Sequence, residues 1–315
     1  MVLALVAAAV AVGATAYLTL VREDGGSSGF AVAPLAAKAA PVRSRPADRS
    51  PLLERQRAPR IRMSGVDAFP INFAKPPRAA LLFDVGNGEV LARHKPLQRL
   101  PIASLTKIMT ALLATEAAGP DERVMITREV LRYREAGVGV LPRGKRVRFE
   151  ALLNGLMLVS GYDAANGLAV HVSGSVRRFV AQMNRRARML GLRCTRFVSP
   201  HGLEPANRSC PRDLAVLTRL AMANDRIARI ARRRGVTMPF PIKGGKLVLY
   251  GHNPLIRDLR YRGAIGLKTG FINESGQCFV GVARRRGRTF GVVLLNSPNP
   301  GKHAAGLLDR AFRNG

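Results

Sequence analysis

Apolar residues recur at helical spacing between residues 101 and 116, in the segment PIASLTKIMTALLATE. The recurring positions are Leu105, Ile108, Met109, Leu112 and Leu113. This spacing predicts a helix that begins near Ser104 and buries one face. Ser104 is a suitable N-cap, but Lys107 stands where a capping box has Glu or Gln, at the positive end of the helix dipole. Capping alone therefore does not account for both residues.

Shorter apolar runs on either side of this helix predict strands. AALLFDV and EVLAR, joined by Gly86-Asn87-Gly88, are typical of a hairpin, and KLVLY, AIGLKTG, QCFVGVAR and RTFGVVLLN follow later. Between them, FEALLNGLML, DAANGLAVHV, VRRFVAQMNRRARML and PRDLAVLTRLAMAN are predicted helices, and AAGLLDRAF is a last one. Helices inserted between strands predict an α+β fold in which both ends of the domain complete one antiparallel sheet.

The part of the chain before this pattern has a different character. Residues 1–22 begin with an uncharged apolar stretch that is long enough to span a bilayer, and residues 14–16, Ala-Thr-Ala, would also serve as a signal-peptide cleavage site. A cleaved signal peptide and a retained membrane anchor both predict export. Residues 23–77 are rich in Gly, Ser, Pro, Ala and Arg without a sustained period, which predicts a disordered linker. The folded domain is then residues 78–315.

Composition and charge limit the class of partner. Hydrophobic residues make up 47% of the 315 positions, so disorder of the whole chain is excluded. The net charge of +31 comes mostly from Arg spread along the chain. No basic region, zinc-finger spacing or basic-aromatic interleaving is present, which argues against nucleic acid as a partner. Arginine-rich coding in a GC-rich genome and an anionic partner, such as a wall polymer or a membrane surface, both account for the charge.

Cysteine and histidine give little sign of metal chemistry. Cys194 and Cys210 flank the loop RFVSPHGLEPANRS and can form a disulfide in an oxidising compartment, which would leave Cys278 free. Three buried thiols are the alternative. The five His residues are scattered without ligand spacing to Cys or carboxylates, so no metal and no cofactor are predicted.

The pair Ser104 and Lys107 also suits nucleophilic catalysis. Residues three apart share one helix face, so Ser104 Oγ and Lys107 Nζ can meet. The positive helix end disfavours a charged Lys107, which makes it a better base, and offers N–H groups to an oxyanion. Alone, Ser-x-x-Lys is expected by chance about once in such a chain, and a Ser cap beside a solvated Lys is the simpler interpretation.

Two further segments carry candidate chemistry. In LVSGYDAAN, Ser160 lies at a junction of two apolar helices, where it can point into a cleft or cap a helix that starts near Asp163. In GAIGLKTG, an apolar strand is predicted to end with Lys268, Thr269 and Gly270. An ammonium and a hydroxyl would then project from a sheet edge and could bind a carboxylate. An ordinary strand end with a solvated Lys is the alternative.

These three motifs, in this order, resemble the active-site motifs of serine penicillin-recognising enzymes. Within that superfamily the chain is most similar to the D-alanyl-D-alanine carboxypeptidases, the low-molecular-mass penicillin-binding proteins. AALLFDVGNGEVLARHKPLQRLPIASLTKIMTALLATE resembles their opening block, FVSPHGLEPANRSCPRDLAVL their His-Gly-Leu block, and HNPLI with GLKTGFINESGQCFVGVARRRGRTFGVVLL their closing block. The resemblance implies a β-lactamase/transpeptidase-like α+β fold, with an antiparallel sheet flanked by helices and an all-helical subdomain.

The resemblance also implies a reaction. Ser104 would be the acylated nucleophile, Lys107 its base and Ser160 a proton relay. The substrate would be a peptidoglycan stem peptide ending in D-Ala-D-Ala, which loses its terminal D-alanine through an acyl-enzyme. β-Lactam antibiotics would be acylating inhibitors. The implied location is the extracytoplasmic face of the cell membrane or the cell wall.

Substrate binding is implied for a second set of residues. These are Tyr162, Lys268, Thr269, Gly270 and Phe271. Lys268 and Thr269 would hold the terminal carboxylate of the substrate. The backbone N–H groups of Ser104 and Phe271 would form the oxyanion hole.

One position departs from the family pattern. The second motif of the family is Ser-x-Asn, and this chain has Tyr162 in place of the Asn. The Asn donates to the substrate and contacts the catalytic Lys, whereas a phenol offers one hydroxyl on a bulkier ring. A catalytically impaired peptidoglycan-binding pseudoenzyme is therefore an alternative. A serine β-lactamase is another, with Glu150 and Asn154 as carboxylate and amide, although they occur in the wrong order for the usual deacylating pair.

Overall fold

The computed structural model describes residues 58–132 and 137–314, which form an α+β fold. The strands of this part are β1 (Ala79–Asp84), β2 (Val90–His94), β3 (Leu100–Pro101), β4 (Arg123–Met125), β5 (Arg146–Arg148), β6 (Arg208–Ser209), β7 (Gly235–Pro239), β8 (Lys246–Tyr250), β9 (Ala264–Ile272), β10 (Gly276–Arg285) and β11 (Arg288–Leu295). The helices are α1 (Lys107–Ala117), α2 (Phe149–Leu158), α3 (Tyr162–Ser173), α4 (Val176–Met189), α5 (Pro211–Ala223), α6 (Asp225–Ala231), α7 (Pro254–Arg257) and α8 (Pro300–Asn314).

The main sheet has five antiparallel strands in the order β2-β1-β11-β10-β9. Its strands come from both ends of the domain, since Ala79 pairs with Leu295. The turn between β1 and β2 contains Gly88, whose φ is 80° and whose missing side chain leaves room for the Arg60 carbonyl. The predicted hairpin and the predicted closure of one sheet by both ends are confirmed.

Helices α1 to α6 lie between β3 and β8 along the chain, together with the short strands β4 to β7. The predicted segment FEALLNGLML is α2 itself, DAANGLAVHV lies within α3, and the other two predicted segments contain α4 and α5. Helix α5 begins with Pro211, which suits a first turn because the proline N–H would be unpaired there anyway. In α4 the apolar residues Phe179 and Met183 are buried, while most of its arginines face outward.

The sheet separates two apolar cores. On one face, called the α8 face, Phe290 and Val292 pack with Leu308 of α8. On the other, called the site face, residues such as Val280 and Val293 pack against α5, α6 and the turn that precedes α1. Neighbouring residues of a strand point to opposite faces, which is why Val292 and Val293 belong to different cores.

The start of the first helix differs from the prediction. Ser104 lies in a 3-10 turn, Ala103–Thr106, and α1 begins at Lys107. The N-cap positions of the turn and of α1 are Ile102 and Thr106, and neither has a side-chain cap hydrogen bond. Ser104 is therefore not the helix cap, because the chain turns at Ala103, with a φ of 46°, before the α-helix begins.

Two strand predictions also need correction. KLVLY is a strand, β8, but it pairs in a separate two-stranded ribbon with β7, a strand that the apolar pattern did not predict. Lys268 and its neighbours do not end a strand, since β9 continues to Ile272. They do lie at a sheet edge, because β9 is the outer strand. Apolar periodicity located these strands but did not specify their partners.

Residues 58–77 were predicted as part of the linker, but they pack on the folded domain. Arg93 Nε donates to Asp67 Oδ1 at 2.5 Å, and Phe69 is buried with 7% of its surface exposed. The Arg310 guanidinium lies 5.0 Å from the centroid of the Phe69 ring. The linker prediction is wrong for this stretch, because single aromatic anchors without periodicity are enough to fix it. The predicted export segment, residues 1–22, and the linker up to residue 57 lie outside the described residues.

Within the described ranges, no helix has both the length and the apolar character needed to cross a membrane.

Candidate active site

Ser104 and Lys107 are brought into contact at the start of α1. Lys107 Nζ donates to Ser104 Oγ at 2.9 Å and to the His201 carbonyl at 2.5 Å. Both side chains are inside the protein, with Ser104 5% and Lys107 0% exposed. The predicted meeting of the two side chains is therefore observed, although the chain reaches it through a 3-10 turn.

Burial disfavours the charged form of Lys107. Desolvation holds the pKa of Lys107 well below its usual range, and repulsion from Lys268 lowers it further. Asp163 and Glu204 attract the charged form and act in the opposite direction. The sequence suggested the helix dipole as the cause, and the structure adds burial of the amine. A neutral amine 2.9 Å from a hydroxyl can accept its proton.

The loop that supplies the His201 carbonyl is held from within. Asn207 Oδ1 accepts from the Val198 N–H at 3.0 Å, and Asn207 Nδ2 donates to Ser199 Oγ at 3.0 Å. From α1, Thr110 Oγ1 donates to the Pro200 carbonyl at 2.6 Å. The loop therefore has a fixed position against the helix that carries Lys107.

A disulfide closes the same loop at its base. Cys194 and Cys210 are bonded, which decides between the two alternatives left open by the sequence, and Cys278 is a free buried thiol. With Asp213 these two cysteines are the one group of possible metal ligands found in the described residues. Their sulfur atoms are already bonded to each other, so this group offers no thiolate to a metal.

Close packing also joins the loop to the 3-10 turn Ala103–Thr106. Gly202 has a φ of 84°, and a Cβ placed there would lie 2.0 Å from the Ala103 carbonyl oxygen. Only glycine allows this approach.

Ser160 and Tyr162 enter the site from the junction of α2 and α3. Ser160 has a φ of 62°, and its Oγ is buried without a hydrogen-bond partner among the described residues. Tyr162 is the first residue of α3, and its ring centroid lies 4.2 Å from Lys107 Nζ. Its ring also lies 5.4 Å from that of His201. The predicted cap role of Ser160 is not observed, since the N-cap of α3 is Gly161.

Burial raises the pKa of the Tyr162 phenol, and a side-chain hydrogen bond with Ser104 opposes this rise. The phenol is therefore a neutral hydroxyl at physiological pH, placed beside the candidate nucleophile.

The edge strand β9 forms the opposite side of the site. Lys268 pairs with Val280 and Gly270 with Cys278, so both lie on the site face of the sheet. A Cβ on Gly270 would lie 3.0 Å from the Ile102 carbonyl oxygen and 3.1 Å from the Ser104 nitrogen. Glycine at this position lets the strand approach the turn that carries Ser104.

Lys268 is more buried than the sequence suggested. It is 2% exposed, its Nζ donates to the Thr269 carbonyl at 3.0 Å, and desolvation lowers its pKa to about 7. Thr269, Gly270 and Phe271 line the cleft itself, and Phe271 is exposed. An incoming carboxylate would favour the charged form of Lys268 and raise its pKa.

These groups meet at a cleft of about 920 Å³. The predicted site residues that line it are Ser104, Ser160, Tyr162, Thr269, Gly270 and Phe271. Lys107 and Lys268 are buried behind the residues that line the cleft. The structure thus gathers all predicted site residues around one cavity.

Sequence reasoning missed some of the residues that line the cleft. They include His252, Arg257, Gln277, Asn299 and Lys302. HNPLI was quoted only as part of a resembling block, and the side chain of its histidine reaches the cavity. Burial lowers the pKa of His252, and repulsion from Lys268 and Arg257 lowers it further, so this imidazole is neutral at physiological pH.

Glu150 and Asn154, considered above for a β-lactamase, lie elsewhere. Glu150 Oε2 is 2.9 Å from Arg226 Nη2, and Asn154 Oδ1 accepts from Arg233 at 3.0 Å. Neither lines the cleft. The carboxylate and amide are used in ion pairing and packing, and no deacylating pair is formed from them.

Comparisons with known proteins agree with this geometry. A family model described as D-alanyl-D-alanine carboxypeptidase matches residues 74–299. The chain is 35% identical over 246 residues to the D-alanyl-D-alanine carboxypeptidase DacB2 of Mycobacterium tuberculosis, covering 75% of this chain and 82% of that protein. It is 34% identical over 223 residues to the D-alanyl-D-alanine endopeptidase of Haemophilus influenzae, covering 69% and 74% of the two chains.

A solved structure has the same fold. The crystal structure of the Streptomyces K15 DD-transpeptidase superposes with a TM-score of 0.71 at 29% identity, covering 77% of this chain and 99% of the transpeptidase. The chain is thus similar in sequence to relatives named as carboxypeptidase and endopeptidase, and in fold to one named as transpeptidase.

Proposed function

The chain belongs to the D-alanyl-D-alanine carboxypeptidase family, and from this membership we propose that Ser104 is the nucleophile of its reaction. The protein is a serine-type D-Ala-D-Ala peptidase of cell-wall metabolism. One observation carries the assignment of the nucleophile: Ser104 Oγ lies 2.9 Å from the buried Nζ of Lys107, whose pKa is lowered by desolvation. A serine beside a neutral amine needs no histidine for its activation.

Acylation begins when Ser104 Oγ attacks the carbonyl carbon of the terminal peptide bond. Lys107 Nζ accepts the hydroxyl proton, and the backbone N–H groups of Ser104 and Phe271 stabilise the oxyanion. The C–N bond then breaks, D-alanine leaves, and water hydrolyses the acyl-enzyme by the same groups acting in reverse. A hydroxyl must deliver a proton to the leaving amine, and the family resemblance implies Ser160 for this step.

The free carboxylate of the substrate is placed at β9. The Lys268 ammonium would donate a charged hydrogen bond to it, and the Thr269 hydroxyl a neutral one. Gly270 lets the strand backbone lie close to Ser104. Lys268 is poised to become charged, since its pKa is about 7 in the absence of a counter-charge. The strand thereby favours a peptide that ends in a carboxylate. Tyr162 lines the facing wall of the cleft.

Intact-mass spectrometry and D-alanine release test this function together. Wild-type protein should gain one penicilloyl mass with benzylpenicillin and should release D-alanine from a D-Ala-D-Ala peptide. Ser104→Ala should do neither, while melting at the same temperature as the wild type. A folded wild type without adduct and without D-alanine release would favour the pseudoenzyme in which Tyr162 blocks acylation. Rapid turnover of nitrocefin would instead favour a β-lactamase.

Export and an anionic surface partner are further parts of the proposal. Their support is the apolar stretch at residues 1–22 and the net charge of +31. Several arginines on the outer face of α4 are exposed, namely Arg177, Arg178, Arg185 and Arg188. Fractionation of cells should place the full chain in the membrane or wall fraction, and purified walls with anionic polymer should retain it at low salt. Recovery in the cytosol alone would contradict export.

A further inference from the structure

The proposed reaction needs a hydroxyl that protonates the leaving amine, and the structure offers two. Ser160 and Tyr162 both line the cleft within two residues of each other. Family resemblance favours Ser160. The inference that follows rests on the proposed function and concerns which hydroxyl performs this step.

Ser160 is poorly placed for proton transfer. Its Oγ is buried and makes no hydrogen bond within the described part of the chain. A relay accepts a proton from one group and donates one to another, so a hydroxyl that already lies beside the acid-base pair is the better placed of the two. The hydrogen bonds of Lys107 Nζ go instead to Ser104 Oγ and to the His201 carbonyl.

Tyr162 lies beside the catalytic pair. Its ring centroid lies 4.2 Å from Lys107 Nζ, where the π-face favours the ammonium that forms after proton transfer. Its side chain lines the same cleft as Ser104, and an interaction with Ser104 lowers the pKa of the phenol against the rise caused by burial. The ring is held on the other side by His201, at 5.4 Å between ring centroids. Tyr162 is therefore fixed beside the bond that will break.

We propose that the Tyr162 hydroxyl, in place of that of Ser160, is the general acid that protonates the leaving D-alanine. Tyr162 then has the position of the family Asn but a different role. The proton relay of this chain lies two residues after Ser160, the relay that the family resemblance implies.

Ser104 Oγ gives its proton to Lys107 Nζ and bonds to the carbonyl carbon, which forms the oxyanion. As the oxyanion collapses, the C–N bond breaks, its electron pair stays on nitrogen, and nitrogen takes the proton of Tyr162 Oη. Lys107 ammonium then returns the proton of Ser104 to the phenolate. One proton has passed from Ser104 to D-alanine, and Lys107 and Tyr162 end as they began.

The protonation state of the free enzyme suits this order of events. Burial raises the pKa of Tyr162 and lowers that of Lys107, so the site starts with a protonated phenol and a neutral amine. The amine is therefore the base for the first proton, and the phenol is the acid for the second.

Two variants distinguish the two hydroxyls. Tyr162→Phe keeps the ring over Lys107 and removes only the hydroxyl, and Ser160→Ala keeps a Cβ at the same positive φ and removes only its hydroxyl. With a D-Ala-D-Ala peptide we expect Tyr162→Phe to lose about 100-fold or more in kcat/KM, and Ser160→Ala to lose less than about fivefold. Melting temperatures within a few degrees of wild type establish that both variants fold.

A change of leaving group separates proton donation from mere positioning. A thiolester acyl donor releases a thiolate, which needs no proton, so Tyr162→Phe should lose less than about fivefold with it. Equal losses with peptide and thiolester would overturn the relay role of Tyr162. A larger loss for Ser160→Ala than for Tyr162→Phe would assign the relay to Ser160. If wild type itself forms no penicilloyl adduct, the proposed function fails together with the relay, which is a separate outcome from either of these.

Discussion

The two faces of the main sheet use their buried residues differently. The α8 face is filled with side chains such as Phe290, Val292 and Leu308, all without polar atoms. The site face has an apolar core too, but Lys107 and Lys268 are also buried there. Burying an amine lowers the free energy of unfolding, whereas a buried leucine would raise it. The α8 face therefore stabilises the fold, whereas the site face is less stabilising because it buries two lysines with lowered pKa values.

The sharpest contrast comes from Lys107→Met on the site face. We expect the acylation rate with benzylpenicillin to fall on the order of 10³-fold, because the general base is lost. The free energy of unfolding should change by less than about 2 kcal/mol, since removing a buried amine offsets the lost hydrogen bonds. Intact-mass kinetics and urea unfolding measure the two quantities.

Lys302→Met is the matched control for that variant. Lys302 is exposed at the rim of the same cleft, so its loss should leave acylation within about threefold of wild type. An acylation rate for Lys107→Met within tenfold of wild type would show that another group is the base.

On the α8 face the opposite result is expected. Leu308 is 0% exposed, and Leu308→Ala should lower the free energy of unfolding by about 3 kcal/mol through loss of apolar contact and the cavity left behind. The acylation rate of the folded protein should stay within twofold. Arg313→Ala on the exposed side of α8 is the control, with a change below about 0.5 kcal/mol. A large loss of acylation in Leu308→Ala would mean that the two faces are coupled.

The disulfide belongs to the site side of the comparison. It spans 16 residues and encloses the loop that presents the His201 carbonyl. Replacing both Cys194 and Cys210 by Ser should lower the free energy of unfolding by about 2 to 3 kcal/mol and slow acylation as the loop loosens. Thermal unfolding with and without reductant checks this: reductant should lower the Tm of wild type and leave the double variant unchanged. A wild-type Tm that stays the same after complete reduction would refute stabilisation by the disulfide.

The smallest effect concerns pH. The pKa of Lys268 is about 7, so its ammonium is present below pH 7 and is lost as pH rises through that value. The kcat/KM of a D-Ala-D-Ala peptide should fall about tenfold between pH 6 and pH 8 as the carboxylate loses its partner. Lys268→Arg stays charged, and its profile should lack this decrease. A peptide with a C-terminal carboxamide should lack it as well, and a decrease of the same size there would exclude Lys268 as the cause.

Local pattern accounts for most of what the sequence predicted correctly. FEALLNGLML is apolar at helical spacing and forms α2, and the contact of Ser104 with Lys107 follows from their separation by three residues. Contacts between distant segments could not be obtained in this way. The pairing of β7 with β8, and the buried anchors in residues 58–77, depend on which surfaces meet after folding.

The site was predictable in its members but not in its electrostatics. The resemblance supplied Lys268 as a carboxylate partner, yet its burial depends on β9 packing against the turn before α1. Likewise, nothing in the order Ser-Gly-Tyr indicates that the ring of Tyr162 covers Lys107 while Ser160 makes no hydrogen bond. These properties arise from orientation, which spacing along the chain does not encode.

The packing of residues 58–77 also decides which edge of the sheet is open to other chains. The backbone of Arg62 forms an isolated parallel β-bridge with that of Glu89, and the Ala68 N–H donates to the Leu91 carbonyl at 2.8 Å. This segment therefore lies along β2. An outer strand left bare offers unpaired N–H and C=O groups to a neighbouring molecule and favours aggregation. The segment thus covers the β2 edge of the sheet, whereas the β9 edge contributes residues to the lining of the cleft. A chain shortened to begin at Arg78 would keep its catalytic residues and lose its protection against self-association.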